Sequence, residues 1–410
     1  MIVEATLNRY EHVNGTTRHK DNNTVNFELT SEQAALQETA RSFAREQMTA
    51  PAREIERTST PLSKDWKRRY GELGFLGINI SPTYGGLGLS NLDAVLVLEE
   101  FAKVHPAVAF PIFESAVGPV KAVERFGSES LKRELLPRVT RGEAVVAVAM
   151  SEPSAGSALT DLSTRGELKN GTVILNGTKR WCTGGGSADG YVVYCRLSDA
   201  PGAKGIGAVY VPGDAAGLNF GAREDMMGFR GTTTADIHLD NVSVPEDHMI
   251  VPAGGFPKLM EAFDLERCGN ATMCLGIAAG ALEDALAYVQ ERHQFGKPIA
   301  DFQAVQLKLA EMATKVEASR LLIHRAVTRA SDGFPSVADS SIAKCFANEM
   351  VREVTGAALQ LMGGYGYSKQ FPAEQRFRDA WGWGIAGGTI DIQKINIAAA
   401  LIGRRFDQRR

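Results

Sequence analysis

Thr172-Val173-Ile174-Leu175-Asn176-Gly177, followed by Thr178 to Cys182, is the stretch at which the chain stops reading as helix. β-branched residues dominate it, and Asn-Gly is the strongest short hairpin signal. The stretch predicts two strands turning at Asn176-Gly177. Tyr191 to Leu197 and Gly205 to Val211 read as further strands. Ala235, Ile237, Leu239, Val242 and Val244 then alternate, with a phase shift near Asp240-Asn241. A middle β domain over residues 149–254, a barrel or sandwich, is expected.

Both flanks are helical. Thr30 with Gln33 forms a capping-box pattern that opens a helix through Glu46, and Leu92 to Val104 is a second amphipathic stretch. Between them Tyr84-Gly85-Gly86-Leu87-Gly88-Leu89 breaks the period and reads as a loop. After Gly255 the helical period returns. Leu309, Ala313, Val316 and Ile323 form one apolar stripe, and Glu311 and Lys315 are spaced to pair. The chain is therefore α+β: an N-terminal helical domain (27–148), the β domain, and a C-terminal helical domain (255–410). Residues 1–26 are polar and read as a flexible extension, or as an arm packed on a neighbouring subunit.

The 410 residues exceed one compact domain and carry 44% hydrophobic and 23% charged side chains. With 45 basic and 48 acidic residues the net charge is −3. There is no charge run, so neither nucleic acid nor an anionic membrane is indicated as a partner. Cys182, Cys195, Cys268, Cys274 and Cys345 form no CxxC pair and no His/Cys cluster, which fits a reducing, cytoplasmic setting and gives no metal site. No apolar run reads as long enough to span a bilayer.

An α–β–α order does not announce a function. The motifs carry it. Met150-Ser151-Glu152-Pro153-Ser154-Ala155-Gly156-Ser157 sets hydroxyls and backbone N–H groups in a tight loop suited to the edge of a planar heterocycle. Trp181-Cys182-Thr183-Gly184-Gly185-Gly186 adds an aromatic face. Each is also compatible with an ordinary turn and a core Trp. Glu291-Arg292-His293-Gln294-Phe295-Gly296-Lys297-Pro298, Gln360-Leu361-Met362-Gly363-Gly364-Tyr365-Gly366-Tyr367 and Gly388-Thr389 with Ile392-Gln393 follow. Gly382-Trp383-Gly384-Ile385-Ala386-Gly387 satisfies GxGxxG but has no preceding strand, and is rejected as a dinucleotide fingerprint.

In this order, from about Phe27 to Arg404, these segments closely resemble the acyl-CoA dehydrogenase family: its TEPxAGS, WIT, ERxxFGKP, QxxGGxGY and GTxxIQ motifs. The resemblance implies a C-terminal four-helix bundle and FAD as cofactor. It places Met150, Ser151, Ser157, Trp181 and Thr183 around the flavin, with Thr389 and Asp391 nearby. It gives the adenosine diphosphate to Arg292 and Phe295, with Gln360, Gly363 and Gly364 from another subunit. A planar guanidinium suits a pyrophosphate, although Arg292 also fits a helix-end surface charge. A homotetramer, an acyl-CoA substrate and an electron-transfer flavoprotein as acceptor follow from the same resemblance.

The family removes the α-proton of an acyl thioester with a carboxylate. In most members the base precedes the GT of the last motif, where this chain has Gly387. A smaller group, including isovaleryl-CoA dehydrogenases, places it just before the Arg at Arg267, where this chain has Glu266. The resemblance thus makes Glu266 the base and leaves the Gly387 N–H to polarise the thioester carbonyl. The competing view of Glu266 is a solvated carboxylate paired with Arg267 or Lys258. Small residues at Ala386, Gly387 and Gly388 widen the pocket for a short, branched or aromatic acyl group. Ser157, Arg267 and Asn270 are further substrate candidates. Phe110 and Phe113 either close the pocket's distal end or are helix core. Ala158, in place of the family Asp, together with Ala386-Gly387-Gly388, resembles acyl-CoA desulfinases of the superfamily, which lack a base at both places. Glu266 opposes that assignment. Carrier-protein thioesters, a non-catalytic role and an oxidase that uses oxygen directly are the remaining alternatives.

Overall fold

The computed structural model describes residues 27–330 and 333–406. The N-terminal extension expected at 1–26 lies outside them. The first helical layer comprises α1 (Ser31–Thr58), α2 (Lys64–Glu72), α3 (Asn91–Val104), α4 (Pro106–Ala116), α5 (Val120–Phe126) and α6 (Glu129–Thr140). Thr30 and Gln33 cap α1 reciprocally, so that helix starts where its capping box says, but it runs to Thr58 through Pro51.

The middle layer is one eight-stranded sheet. Its strands are β1 (Val146–Ala149), β2 (Arg165–Lys169), β3 (Thr172–Thr183), β4 (Gly190–Arg196), β5 (Ile206–Pro212), β6 (Leu218–Phe220), β7 (Thr234–Pro245) and β8 (Met249–Val251). They lie in the order β6-β7-β3-β2-β4-β5-β8, with β1 parallel to β4.

The hairpin expected at Asn176-Gly177 is not a turn. β3 runs straight through it, with a register break against β7 between Leu175 and Gly177. The Asn176 amide bonds across to Asn241, accepting from its backbone N–H at 2.8 Å. A Cβ at Gly177 would stand 2.5 Å from Thr164 Oγ1, so this glycine serves a close chain crossing. The hairpin turn is Asn170-Gly171, where both φ angles are positive (52° and 77°) as a type I′ turn requires.

The third layer holds α7 (Phe256–Glu291), a β9–β10 hairpin (His293–Gln294, Lys297–Pro298), α8 (Gln303–Arg329), α9 (Val337–Met362), α10 (Gly364–Tyr367), α11 (Ala373–Trp383) and α12 (Ile390–Ile402). The long helices α7, α8, α9 and α12 form the bundle. α7 is long and apolar enough to cross a membrane (mean hydropathy 1.3), contrary to expectation, but 67% of that window is buried in the protein. One hydrophobic core runs from Ala40 and Met48 of α1 through Phe101, Leu275 and Ile277 to Val351 and Ala380, so the two helical layers share it. The buried stripe of α8 is Met312, Val316, Ser319 and Ile323; Ala313 faces out. Lys315 pairs with Glu353 of α9 instead of Glu311, because the packed neighbour brings a carboxylate closer. All five cysteines are free and buried.

The loop after β1 is tied to β3 by a buried ion pair. Glu152 Oε1 lies 2.8 Å from Lys179 Nζ, both side chains almost wholly out of solvent. Glu152 also accepts from Ser163 N, Ser163 Oγ and Thr164 N. Burial opposes its ionisation, but the ammonium and these donors outweigh it and hold the carboxyl down at about 2. This contribution is complete at neutral pH and is lost as pH falls from about 4.5 toward 2. Lys179→Met leaves the carboxylate buried and unpaired, and is expected to cost about 3–5 kcal/mol in denaturant unfolding. A loss below about 1 kcal/mol would show that the pair does not tie the loop.

Candidate active site at the α7 carboxylate

Glu266 lies on α7, which the sheet and the helices of both layers enclose. It is partly accessible, yet its carboxylate makes no hydrogen bond or ion pair among the described residues. Arg267 does not pair with it; that guanidinium bonds Asp264 and lies 5.3 Å from the Phe263 ring. Lys258 is turned toward Phe126. Burial therefore dominates, and it pushes the Glu266 carboxyl up to about 8 despite the nearby Arg267 and Lys344 charges. A carboxylate so poised is a strong base once it ionises.

Gly387 sits over the same face of α7. A Cβ built there would meet Phe263 Cζ at 3.6 Å, Asn270 Nδ2 at 3.8 Å and Lys344 Nζ at 3.8 Å. Phe263, Glu266 and Asn270 share one helix face by their spacing. Glu266 and Gly387, remote in sequence, are thus brought together. Gly387 and Gly388 both have positive φ (65° and 82°), the conformation that makes the Ala386–Gly388 turn.

Lys344 of α9 holds that turn. It is 1% exposed, and its Nζ donates to the carbonyls of Ala386 (2.7 Å) and Gly388 (2.6 Å). Burial lowers its pKa to about 7. Gln393 adds a bond to the Gly388 carbonyl at 2.9 Å, and Thr389 caps α12. Asn270 is occupied: it donates to the Trp383 carbonyl and accepts from Asn348.

Phe110 and Phe113 join Phe229 and Trp383 in one aromatic cluster. Phe110 stacks on Trp383 at 5.6 Å, and Phe229 lies 4.9 Å from it. Asp379 fixes Phe229 through its backbone N–H at 2.7 Å, and Gln375, which departs from the family motif, bonds Asp379 in turn. Where α4 crosses α7, a Cβ at Gly269 would stand 2.2 Å from Val117, so only glycine permits this approach.

On the middle domain, Met150 and Ser151 are half-buried and Ser157 is exposed. Arg180 N donates to the Ser151 carbonyl, fixing this loop beside Trp181. The Trp181 ring is 54% exposed at φ 60°, with the Arg180 guanidinium 3.9 Å from its centre. Arg180 is anchored by Glu224 and Asp236. A Cβ at Gly156, Gly363 or Gly364 would meet nothing within 4 Å, and Gln393 Oε1 is buried without a partner. Open glycine cradles, an exposed ring and an orphaned acceptor fit a flat, polar-edged cofactor. Asp391 is exposed in the first turn of α12.

Arg292, Gly363 and Gly364 line one concavity of about 560 Å³, with Tyr288 and Tyr365. Phe295 stands 93% exposed at the hairpin tip, and Gln360 is exposed on the last turn of α9. Arg292 and the two glycines line it together because the end of α7 packs beside the α9–α10 junction, with Tyr288 and Tyr365 rings 5.8 Å apart.

Sequence inspection passed over Lys344, Glu114, Phe229 and Trp383. Glu114 had a readable signal, a lone charge in an otherwise apolar helix, whereas Lys344 sits among buried polar neighbours such as Ser340, Ser341 and Asn348. Phe229 and Trp383 are placed by tertiary contacts.

The family descriptions "Acyl-CoA dehydrogenase, N-terminal domain", "middle domain" and "C-terminal domain" match residues 30–143, 147–242 and 253–402. The chain is 38% identical to the 3-sulfinopropanoyl-CoA desulfinase of Paraburkholderia xenovorans, over 94% of this chain and 99% of the relative. It is 37% identical to the acryloyl-CoA reductase (NADH) of Anaerotignum propionicum, over 93% and 97%. The butyryl-CoA dehydrogenase structure from Megasphaera elsdenii superposes with a TM-score of 0.89 at 32% identity, covering 92% of this chain and all of the other. The chain is a member of the acyl-CoA dehydrogenase family of oxidoreductases.

Proposed function

We propose that the protein oxidises the α,β-bond of a short, branched or aromatic acyl-CoA thioester, with Glu266 as the base. The observation that carries this is the unpartnered Glu266 carboxyl, raised to about 8 by burial, on the α7 face whose Phe263 and Asn270 pack against Gly387. The chemistry that bound FAD would supply is a hydride acceptor for the β-hydrogen. Glu266 takes the α-proton. The Gly387 N–H stands on the same face and supplies a hydrogen bond to the thioester carbonyl as enolate charge develops. Lys344 acts through that turn: by holding the carbonyls on either side it fixes where the Gly387 N–H points. The ring cluster excludes water and receives the acyl group.

Met150, Ser151, Ser157, Trp181, Thr183, Thr389 and Asp391 would hold the flavin half of FAD, and Arg292, Phe295, Gln360, Gly363 and Gly364 the diphosphate half. Helix α7 carries Glu266 and Arg292 about 39 Å apart at 1.5 Å per residue. That exceeds one extended FAD. The base must lie beside the flavin, so the Arg292 set serves a flavin held by another copy, and the protein is at least a dimer, with a tetramer as the family's form. Electron-transfer flavoprotein is the acceptor proposed.

The desulfinase alternative is opposed by the lack of a free cation: a sulfinate is an anion, and the Arg267 guanidinium is already paired with Asp264. Lys344, the nearby ammonium, is already spent on two carbonyls.

Glu266→Gln should retain FAD but slow anaerobic flavin reduction by acyl-CoA about 10³-fold. A near-normal rate would remove Glu266 as base. Lys344→Met should lower kcat about 10²-fold, with FAD content and KM close to those of the parent, because the turn loses its fixed geometry only where transition-state charge develops. An unchanged kcat would show that the turn holds itself.

A further inference from the structure

Helix α4 carries one charged residue, Glu114, in an apolar sequence. It is 8% exposed, and its Oε2 is buried with no hydrogen-bond partner. No cation pairs with it among the described residues. Burial, and the like charge of Glu266, hold its carboxyl well above the usual range. Glu114 Oε2 is thus a buried carboxyl oxygen that the protein itself leaves unsatisfied, in surroundings that favour the protonated form, which both donates and accepts. Leaving such a group unpaired is costly, and a ligand that pairs it gains affinity.

Its position ties it to the acyl site. Phe110, one turn earlier on α4, stacks on Trp383. Phe113, the preceding residue, packs where α4 crosses α7 at Gly269, one turn beyond Glu266. The two acids thus stand at one junction, beside the rings.

We propose that Glu114 is a specificity-determining residue that hydrogen-bonds an uncharged oxygen function, a hydroxyl or carbonyl, carried by the acyl group beyond the carbons being oxidised. This rests on the proposed acyl-CoA function. An anionic group does not fit, because the guanidinium and ammonium beside Glu266 are engaged: Arg267 by Asp264, and Lys344 by two carbonyls. A plain hydrocarbon chain leaves the acid unpaired. A neutral oxygen satisfies it, while the adjacent rings cover the carbon chain.

The test compares matched thioesters, butyryl-CoA with 4-hydroxybutyryl-CoA and hexanoyl-CoA with 6-hydroxyhexanoyl-CoA. They are bound to the FAD-loaded protein by calorimetry and followed separately by anaerobic flavin reduction. The parent should bind one hydroxylated member about tenfold or more tightly than its plain partner. Glu114→Leu, checked for FAD content, should erase or invert that ratio. Glu114→Gln, which both donates and accepts, should keep most of it. Equal ratios in the parent and Glu114→Leu overturn the proposal. Ratios that respond to Glu114 with no flavin reduction by any thioester overturn the dehydrogenase function but leave Glu114 as the recognition residue. Flavin reduction with unresponsive ratios does the reverse. Failure of every thioester to bind overturns both.

Discussion

Desolvation of the Glu266 carboxylate is the constraint on which the rest of the site depends. A carboxylic acid in water is too weak a base for an α-proton. Here the acid is carried on a helix enclosed by a sheet and two helical layers, and its adjacent arginine is diverted to Asp264. The ion pair that would stabilise the anion is withheld, and the carboxyl rises to about 8. The structure spends its cations elsewhere on purpose-built contacts: Lys344 on the Ala386–Gly388 turn, Arg376 on Asp284, Arg378 on Glu56 and Glu374.

The same helix bears on how one chain would serve two half-sites under the proposed roles. α7 carries Glu266 in its first third and Arg292 just past its end, so its own length would separate flavin chemistry from diphosphate binding. The sheet carries the loops proposed to hold the flavin, and the first of them is tied down by a buried charge pair between its own Glu152 and Lys179 of β3.

The α–β–α order and the strand and helix zones were legible because period and capping are local. The Thr30–Gln33 box and the phase shift at Asp240-Asn241 are both present in the structure. Asn176-Gly177 misled because a dipeptide reports backbone freedom, not its use: there it admits Thr164, while Asn170-Gly171 makes the turn. The α8 stripe was rotated because packing against α7 and α9 chose Met312 over Ala313. Glu266 and Gly387 were legible through motif resemblance. Their meeting on one face of α7, the Lys344 clamp and the Phe229–Trp383 cluster depend on tertiary packing that no local pattern encodes.

The measurement that bears most directly on the account is the pH dependence of kcat/KM for anaerobic flavin reduction by one acyl-CoA, which reports the ionisation of the free enzyme's base. A desolvated Glu266 predicts a rate that rises with pH through an inflection near 8. A profile already level from pH 6 upward would mean an ordinary, solvated carboxylate, and would contradict it.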